Sequence, residues 1–181
     1  MNKWKKIGSE YLLQSRWLSV RKDAYDTPQG KRIDDFYVIE RGDFIVLVPV
    51  TADGKFILVS QYRHGTEAET LNFPKGIIEA TEDPAQTAAR ELTEETGYQS
   101  SSIEFLGSYY MSPALMKTKG HIFLARCATR VDSGMQSLDV DEVSSVVFLS
   151  ESEIEKKVLS QEFDDMFSVA GYLLAKRAML T

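Results

Sequence analysis

The sequence predicts an α/β fold, in which strands surround one central helix and two further helices follow. Apolar and β-branched runs bounded by turn signals predict the strands. Apolar residues at helical spacing between Glu82 and Gly97 predict the central helix. Hydrophobic residues make up 43% of the 181-residue chain, which is enough to form a core and argues against disorder.

In the sequence, strands are predicted both before and after the central helix. They cover residues 10–21, 35–41, 43–50, 56–62, 103–110, 121–130 and 143–149. The turn signal Thr27-Pro-Gln-Gly30 separates the first two. The Asp53-Gly54 pair between the third and the fourth predicts a hairpin.

The central helix has clear start and stop signals. Glu82 and Asp83 suit the positive end of a helix dipole, and Pro84 is pre-set for the first turn. Gly97 supplies the left-handed residue that commonly ends a helix. The predicted apolar stripe consists of Ala85, Ala88, Ala89 and Leu92.

Two helices are predicted at the C-terminal end of the chain. Ser150 and Glu153 form a capping-box pattern that opens a helix to about Leu159. An amphipathic helix over residues 164–180 follows. Its predicted core-facing stripe is Met166, Val169, Ala170, Leu173, Leu174 and Arg177.

The central helix carries an unusual density of carboxylates. Glu91, Glu94 and Glu95 lie within one turn of each other, and like charges at this spacing destabilise a helix by about 0.2–0.5 kcal/mol per pair. A hard divalent cation bound by these carboxylates would turn their destabilising effect into a stabilising one. No His/Cys cluster lies nearby, so oxygen ligands favour Mg²⁺, with Mn²⁺ as the alternative, over zinc. For an isolated acidic helix, the simpler interpretation is a solvated charged face.

The spacing of these residues resembles the Nudix box, G-x5-E-x7-R-E-U-x-E-E-x-G-U, in which U is apolar. The fixed positions are matched by Gly76, Glu82, Arg90, Glu91, Leu92, Glu94, Glu95 and Gly97. Tyr98 fills the last apolar position with an aromatic ring. The chain is thereby similar to the Nudix hydrolases. That resemblance implies an α/β/α sandwich with a mixed central sheet and a small N-terminal antiparallel sheet.

The resemblance also implies roles for the box residues. Glu91 and Glu95 would bind the metal together with Glu94 on the same face, and the carbonyl of Lys75 would be a further ligand. Arg90 would orient the glutamates by ion pairing. The expected structural residues are Gly76, Gly97 and Glu82, with a metal ligand as the alternative role of Glu82.

A general base is needed to take the proton of the attacking water. By resemblance it lies in an acidic loop after the box. The loop before the strand at Val143 contains Asp141 and Glu142, of which Glu142 is preferred. An exposed acidic turn is an equally strong interpretation of this segment.

Residues outside the box resemble the ADP-ribose pyrophosphatase-like subgroup, also described as nucleoside diphosphate sugar hydrolases. They are the segment from Val59 to Arg63, the segment from Phe73 to Gly76, Pro113, and the stretch from Trp17 to Ile39. The resemblance implies hydrolysis of the pyrophosphate bond of nucleoside diphosphate sugars and a homodimer. It further implies an N-terminal β-element over residues 1–42, for dimerisation and the nucleotide site, and a Nudix domain over residues 43–181.

The chain departs from that subgroup at several positions. Lys75 replaces the usual alanine, and Asn72 stands where many relatives have glutamate. The loop after Pro113 is less acidic than the subgroup pattern. ADP-ribose, GDP-mannose and a broad range of nucleoside diphosphate sugars therefore all stay open as substrates.

Candidate substrate contacts follow from side-chain chemistry. The guanidinium of Arg63 matches phosphate geometry. Tyr25, Phe36 and Tyr37 are candidates for stacking on a base, with strand packing as the alternative. Pro113 marks the subgroup, and Lys117 would contact phosphate or be a solvated lysine.

Composition limits the other function classes. The net charge of −6 argues against nucleic acid as the main partner. Neither a signal peptide nor the ~18 apolar residues of a membrane span is visible, so we expect a cytoplasmic protein without a membrane partner. The alternatives are a Nudix hydrolase that cleans the nucleoside triphosphate pool or trims RNA 5′ ends, and a non-catalytic nucleotide-sugar-binding regulator. Pro113, the N-terminal element and the acidic charge argue against the former, and the intact glutamates argue against the latter.

Overall fold

A computed structural model describes residues 3–131 and 143–180. The chain divides into two compact units. As far as the structure describes them, the first comprises Met1–Asp43 and Tyr109–Lys119, and the second Phe44–Ser108 and Gly120–Thr181. No helix in the described ranges is long and apolar enough to cross a membrane.

The first unit contains a three-stranded antiparallel sheet with the order β1-β2-β3. Its strands are β1 (Lys5–Gln14), β2 (Ser19–Asp26) and β3 (Arg32–Glu40). None of the buried hydrophobic side chains in the described residues belongs to this unit. The sheet therefore lacks the apolar core on which most small sheets depend.

The single strand predicted over residues 10–21 is wrong, because the chain turns after Gln14. The backbone N–H of Ser15 donates to the carbonyl of Leu18 at 3.0 Å. The hydroxyl of Ser15 accepts from the N–H of Leu18 at 3.1 Å. Local bonds of this kind give the backbone an alternative to the strand ladder, so the apolar run divides into two strands.

A buried charge cluster connects β1 to β2. The carboxylate of Asp23 is fully buried and pairs with Lys6 and Arg21 at 3.0 Å each. The hydroxyl of Ser9 donates to it at 2.6 Å. Burial alone would raise the pKa of Asp23, but these hydrogen bonds outweigh it and lower the pKa to about 2.

The second unit contains an eight-stranded mixed sheet. Its strands are β4 (Phe44–Thr51), β5 (Phe56–Arg63), β6 (Ala68–Asn72), β7 (Lys75–Ile77), β8 (Tyr98–Gln99), β9 (Ser102–Tyr110), β10 (Lys119–Arg130) and β11 (Val143–Leu149). The main order is β11-β5-β4-β10-β8, with β6 on β5, β7 on β4 and β9 on β10. β4 and β10 run parallel, whereas β5 and β11 are antiparallel. The mixed central sheet and the small N-terminal sheet confirm the predicted fold class.

Helices cover both faces of this sheet. They are α1 (Pro84–Thr96), α2 (Glu151–Leu159) and α3 (Met166–Met179). Because side chains alternate along a strand, successive residues of β4 face opposite helices. One buried cluster consists of Ile45, Leu47, Ala88, Leu92, Phe123 and Ala125. The other includes Val46, Val48, Leu58, Ile122, Ile154, Phe163, Tyr172 and Ala175.

Capping residues begin and end the helices as the sequence predicts. Asp83 caps α1 and forms a capping box with Gln86, and Gly97 ends the helix with φ 72° in the left-handed region. Ser150 caps α2 and forms its capping box with Glu153. The ends of these helices are therefore determined by local hydrogen bonding.

The predicted stripe of α3 is confirmed at Val169, Ala170 and Leu174, which pack against the core. It is wrong at Met166, Leu173 and Arg177, which are exposed. Met166 is 77% exposed and Leu173 is 57% exposed, whereas Gly171 and Ala175 are buried. A Cβ on Gly171 would lie 3.1 Å from Val48 Cγ2. The helix thus approaches the sheet closely at Gly171, and Tyr172 and Ala175 complete its buried face.

The predicted stripe of α1 is wrong at one alanine, since Ala88 is fully buried and Ala89 is exposed.

Replacing Ala88 with Leu should lower the free energy of unfolding by about 1–3 kcal/mol, because added carbon atoms must fit into a filled core. The matched Ala89→Leu variant should change it by less than about 0.5 kcal/mol. Urea unfolding measures both, and equal effects of the two substitutions would contradict this helix phase.

Candidate active site

The loop before α1 brings strand β7 against the acidic side of the helix. Gly76 on β7 lies opposite Ile45 of β4. A Cβ at Gly76 would lie 1.8 Å from Glu91 Oε1 and 2.1 Å from its Cδ. A side chain at position 76 would therefore displace the carboxylate of Glu91 from the place it occupies beside β7.

Arg90 lies among three of the glutamates. Its Nε and Nη2 donate to the two carboxylate oxygens of Glu82 at 3.0 and 3.1 Å. Its Nη1 lies 2.6 Å from Glu94 and 2.8 Å from Glu91. These contacts, that with Glu82 first, hold the pKa of Arg90 above its usual range. Glu82 also accepts from the hydroxyl of Thr87 at 2.9 Å, so here it contacts the start of α1.

Glu91 and Glu95 form the inner pair of carboxylates. The Glu91 side chain is 12% exposed and Glu95 is 8% exposed, compared with 47% for the Glu94 side chain. Burial raises the pKa of Glu95 to about 7, with a further contribution from the charge of Glu91. Burial also raises the pKa of Glu91 to about 7, although Arg90 opposes it. This inner pair is short of positive charge.

Two hydrogen bonds hold the carboxylate of Glu95. The Gln61 side chain donates from Nε2 to Oε1 at 3.0 Å, and the backbone N–H of Lys75 donates to Oε2 at 3.2 Å. Arg63 Nη2 donates to the carbonyl oxygen of the Gln61 side chain. Gln61 lies in the segment that resembles the subgroup, but its contact with Glu95, 34 residues away in the sequence, is visible only in the structure.

The side chain of Lys75 contacts Asp165 and Asn72, whereas its backbone N–H donates to Glu95. Its Nζ lies 2.5 Å from Asp165 and 3.2 Å from the side-chain oxygen of Asn72. The two departures from the subgroup pattern, Lys75 and Asn72, are therefore in contact. Asp165 is also the N-cap of α3, where it accepts from the N–H of Ser168 at 2.7 Å. Burial lowers the pKa of Lys75, and Asp165 opposes that shift.

The donor set near β7 fits a hard divalent cation. Glu91 and Glu95 provide carboxylate oxygens, and the main chain at Lys75 already contacts Glu95. Within residues 3–131 and 143–180, no three acidic, histidine or cysteine side chains converge tightly enough to form a complete cluster. The inner pair of carboxylates alone is still compatible with a hard divalent cation, which can bind one or two protein carboxylates and complete its shell with water and phosphate oxygens.

Among the predicted substrate residues, Arg63 lies in the second unit and the others lie in the first. They are Tyr25, Phe36, Tyr37, Pro113 and Lys117. Tyr25 and Phe36 form a three-ring cluster with Trp4, with edge-to-face contacts at centroid distances of 5.8–6.2 Å. Tyr37 is about half exposed. The sequence did not predict that Trp4 belongs to this ring cluster.

The loop that begins near Pro113 packs on strand β3. The backbone N–H of Ile39 donates to the carbonyl of Leu115 at 2.8 Å, and Ile39 and Met116 form a parallel bridge. Lys117 follows and is exposed. The structure thus brings this loop together with the strand that carries Phe36 and Tyr37. The predicted bases Asp141 and Glu142 lie outside the described residues.

Comparisons with known proteins agree with this geometry. The NUDIX domain model matches residues 41–168, and the nucleoside diphosphate sugar hydrolase N-terminal domain model matches residues 4–39. The chain is 31% identical to the ADP-ribose pyrophosphatase of Bacillus subtilis, over 97% of this chain and 95% of that one. It is 35% identical to the ADP compounds hydrolase NudE of Escherichia coli, over 75% of this chain and 70% of that one. A crystal structure of an ADP compounds hydrolase has the same fold, with a TM-score of 0.82, 22% identity, and coverage of 98% of this chain and 94% of that chain.

Removing the partner of Lys75 should destabilise the second unit. In Asp165→Asn the N-cap is kept, because asparagine caps well, but the ammonium loses its counter-charge. Lys75 and Asp165 are partly buried, so we expect a loss of about 1–3 kcal/mol, between the values for exposed and for buried pairs. Chemical unfolding tests this, and Lys75→Met combined with Asp165→Asn should lose less than the sum of the single changes. Strict additivity would show that the pair is not coupled.

Proposed function

Since the chain belongs to the Nudix hydrolase family, we propose that it hydrolyses the pyrophosphate bond of nucleoside diphosphate sugars with the help of Mg²⁺. The products are a nucleoside monophosphate and a sugar phosphate. The observation that carries the proposal is the buried pair Glu91 and Glu95 beside the main chain of β7. Such a pair needs a cation, and a diphosphate supplies the remaining oxygen ligands.

The protein groups have distinct parts in this reaction. When bound, a divalent cation neutralises phosphate charge and lowers the pKa of a coordinated water. Glu91 and Glu95 would hold it with the carbonyl of Lys75, and Glu94 would complete the acidic face. Arg90 keeps Glu82, Glu91 and Glu94 in place through its ion pairs. Gly76 leaves the space that Glu91 occupies.

We further propose that Glu142, or Asp141 next to it, accepts the proton of the attacking water. The support is its acidity and its place in the chain after the box. A general base must reach the water within hydrogen-bond distance. Glu142→Gln should lower turnover while leaving the affinity for the divalent cation unchanged.

The names of the relatives favour ADP-containing substrates. The Bacillus subtilis relative is an ADP-ribose pyrophosphatase, and the Escherichia coli relative hydrolyses ADP compounds. We propose ADP-ribose as the first substrate to test, with GDP-mannose and other nucleoside diphosphate sugars next. Arg63 and Lys117 are the proposed phosphate contacts. Tyr25, Phe36 and Tyr37 are the proposed contacts to the base.

A homodimer in the cytoplasm completes the proposal. In its described residues, the first unit exposes large apolar side chains on and beside a sheet that has no buried hydrophobic side chain, and exposed patches of this kind mark association sites. The residues include Trp4, Tyr11, Leu12, Leu13, Trp17 and Leu18. Light scattering should give twice the 20.4 kDa of one chain, and a mass of one chain would refute the dimer.

A substrate panel tests the reaction class. We expect the purified protein with Mg²⁺ to release AMP or GMP and a sugar phosphate from ADP-ribose, GDP-mannose or another nucleoside diphosphate sugar. The panel also contains NADH, diadenosine polyphosphates, nucleoside triphosphates and RNA with a 5′-triphosphate. Preference for nucleoside triphosphates or RNA would replace the proposal with the pool-cleaning or RNA alternative. Binding of sugar nucleotides without any turnover would favour the regulator.

Neutralising a single carboxylate on the acidic face of α1 should strongly lower turnover with little change in the fold. Glu95→Gln keeps the shape of the side chain but loses a charged ligand, and we expect kcat to fall by more than about 100-fold. Glu94→Gln should also lower kcat by orders of magnitude. The matched control is Glu104→Gln, which changes an exposed glutamate on β9 that pairs with Arg126. Wild-type activity in both Glu94→Gln and Glu95→Gln would overturn the metal assignment.

A further inference from the structure

Gln61 lies between two charged groups in the second unit. It is only 1% exposed. Its Nε2 donates to Glu95 Oε1 at 3.0 Å, and its Oε1 accepts from Arg63 Nη2. Gln61 and Arg63 point to the same face of β5 because they are two residues apart, whereas the exposed Tyr62 points to the other face.

The chemistry of these neighbours determines the orientation of the Gln61 amide. A guanidinium can only donate hydrogen bonds, and an ionised carboxylate can only accept them. The amide therefore satisfies both neighbours in one orientation only. If it were reversed, its carbonyl oxygen would face the carboxylate and its NH₂ group would face the guanidinium.

Gln61 acts together with the backbone of β7 to hold Glu95. One carboxylate oxygen accepts from Gln61 and the other from the N–H of Lys75. Two donors on two oxygens fix the plane of the carboxylate as well as its position. A carboxylate offers about four lone-pair positions, so two bonds leave others for a cation.

We propose that Gln61 is a positioning residue for the divalent cation. Its side-chain amide, oriented by Arg63, sets the plane of the Glu95 carboxylate and leaves other lone pairs of that carboxylate free, which would then be available to a cation. Gln61 acts through Glu95 and needs no contact with substrate. The inference rests on the proposed function, because it assumes that Glu95 is a metal ligand.

The first test removes the amide and keeps the length of the side chain. Gln61→Met should weaken binding of Mn²⁺ about 10- to 100-fold, which is typical when the partner of a metal ligand is lost. Binding is measured from the electron paramagnetic resonance signal of free Mn²⁺, without substrate. The Mg²⁺ concentration for half-maximal activity should rise in parallel, while KM for the substrate at saturating Mg²⁺ stays close to that of the wild type.

The second test concerns the orienting role of Arg63. Arg63→Met should weaken Mn²⁺ binding in the otherwise wild-type chain but should add little to Gln61→Met, because both changes break one relay. Arg63→Lys keeps a donor for the Gln61 carbonyl and should restore most of the affinity. A packing role alone would not give this dependence on donors.

The matched control is Tyr62→Phe, which changes the neighbouring exposed side chain and should leave Mn²⁺ binding unchanged. Wild-type Mn²⁺ affinity in a folded Gln61→Met protein would overturn the inference while leaving the proposed function intact. A rise in substrate KM in Arg63→Met with unchanged Mn²⁺ affinity would leave Arg63 as a phosphate contact only and would overturn the relay. A wild-type protein that binds no divalent cation would refute both the inference and the proposed function.

Discussion

Burial of the Glu95 carboxylate is the constraint on which the rest of the site depends. An ionised carboxylate out of water is costly unless hydrogen bonds or opposite charges replace the lost hydration. Gln61 and the Lys75 amide supply two hydrogen bonds, but the neighbouring charge of Glu91 adds repulsion. The remaining deficit of positive charge is what makes this face of α1 suited to a cation.

The positive side chains near the site in the described residues offset that deficit only in part. Arg90 binds the outer glutamates and reaches only Glu91 of the inner pair. The ammonium of Lys75 is held by Asp165 and Asn72, although the backbone of the same residue binds Glu95. Lysine in place of the subgroup's alanine therefore connects β7 to the start of α3.

Local signals predicted the parts of the fold that local physics determines. Asp83, Pro84 and Gly97 set the ends of α1 through capping and left-handed backbone geometry, and these are visible in sequence. The helix faces were less predictable. Ala89 and Leu173 belong to apolar patterns but face solvent, because the closest approach of each helix to the sheet decides its phase.

The candidate site likewise has features that local sequence determines and features that only the folded chain determines. The spacing of the box residues identified the acidic face of α1, since all of them lie on one continuous segment. The contacts of Gln61 with Glu95 and of Lys75 with Asp165 join residues far apart in the chain. Only the arrangement of β5, β7 and α3 in space brings these side chains together, and neither residue type nor periodicity marks them in advance.

The first unit is discontinuous in sequence. The two family models meet near residue 40, yet the loop around Leu115 lies inside the second of them and pairs with Ile39 of β3. Cutting the chain after residue 42 would separate that loop from its backbone partner Ile39, because the N-terminal sheet and the loop belong to one compact unit. A gene that exchanged this element with a relative would have to exchange the segment Tyr109–Lys119 with it, which ties the inheritance of the two segments together.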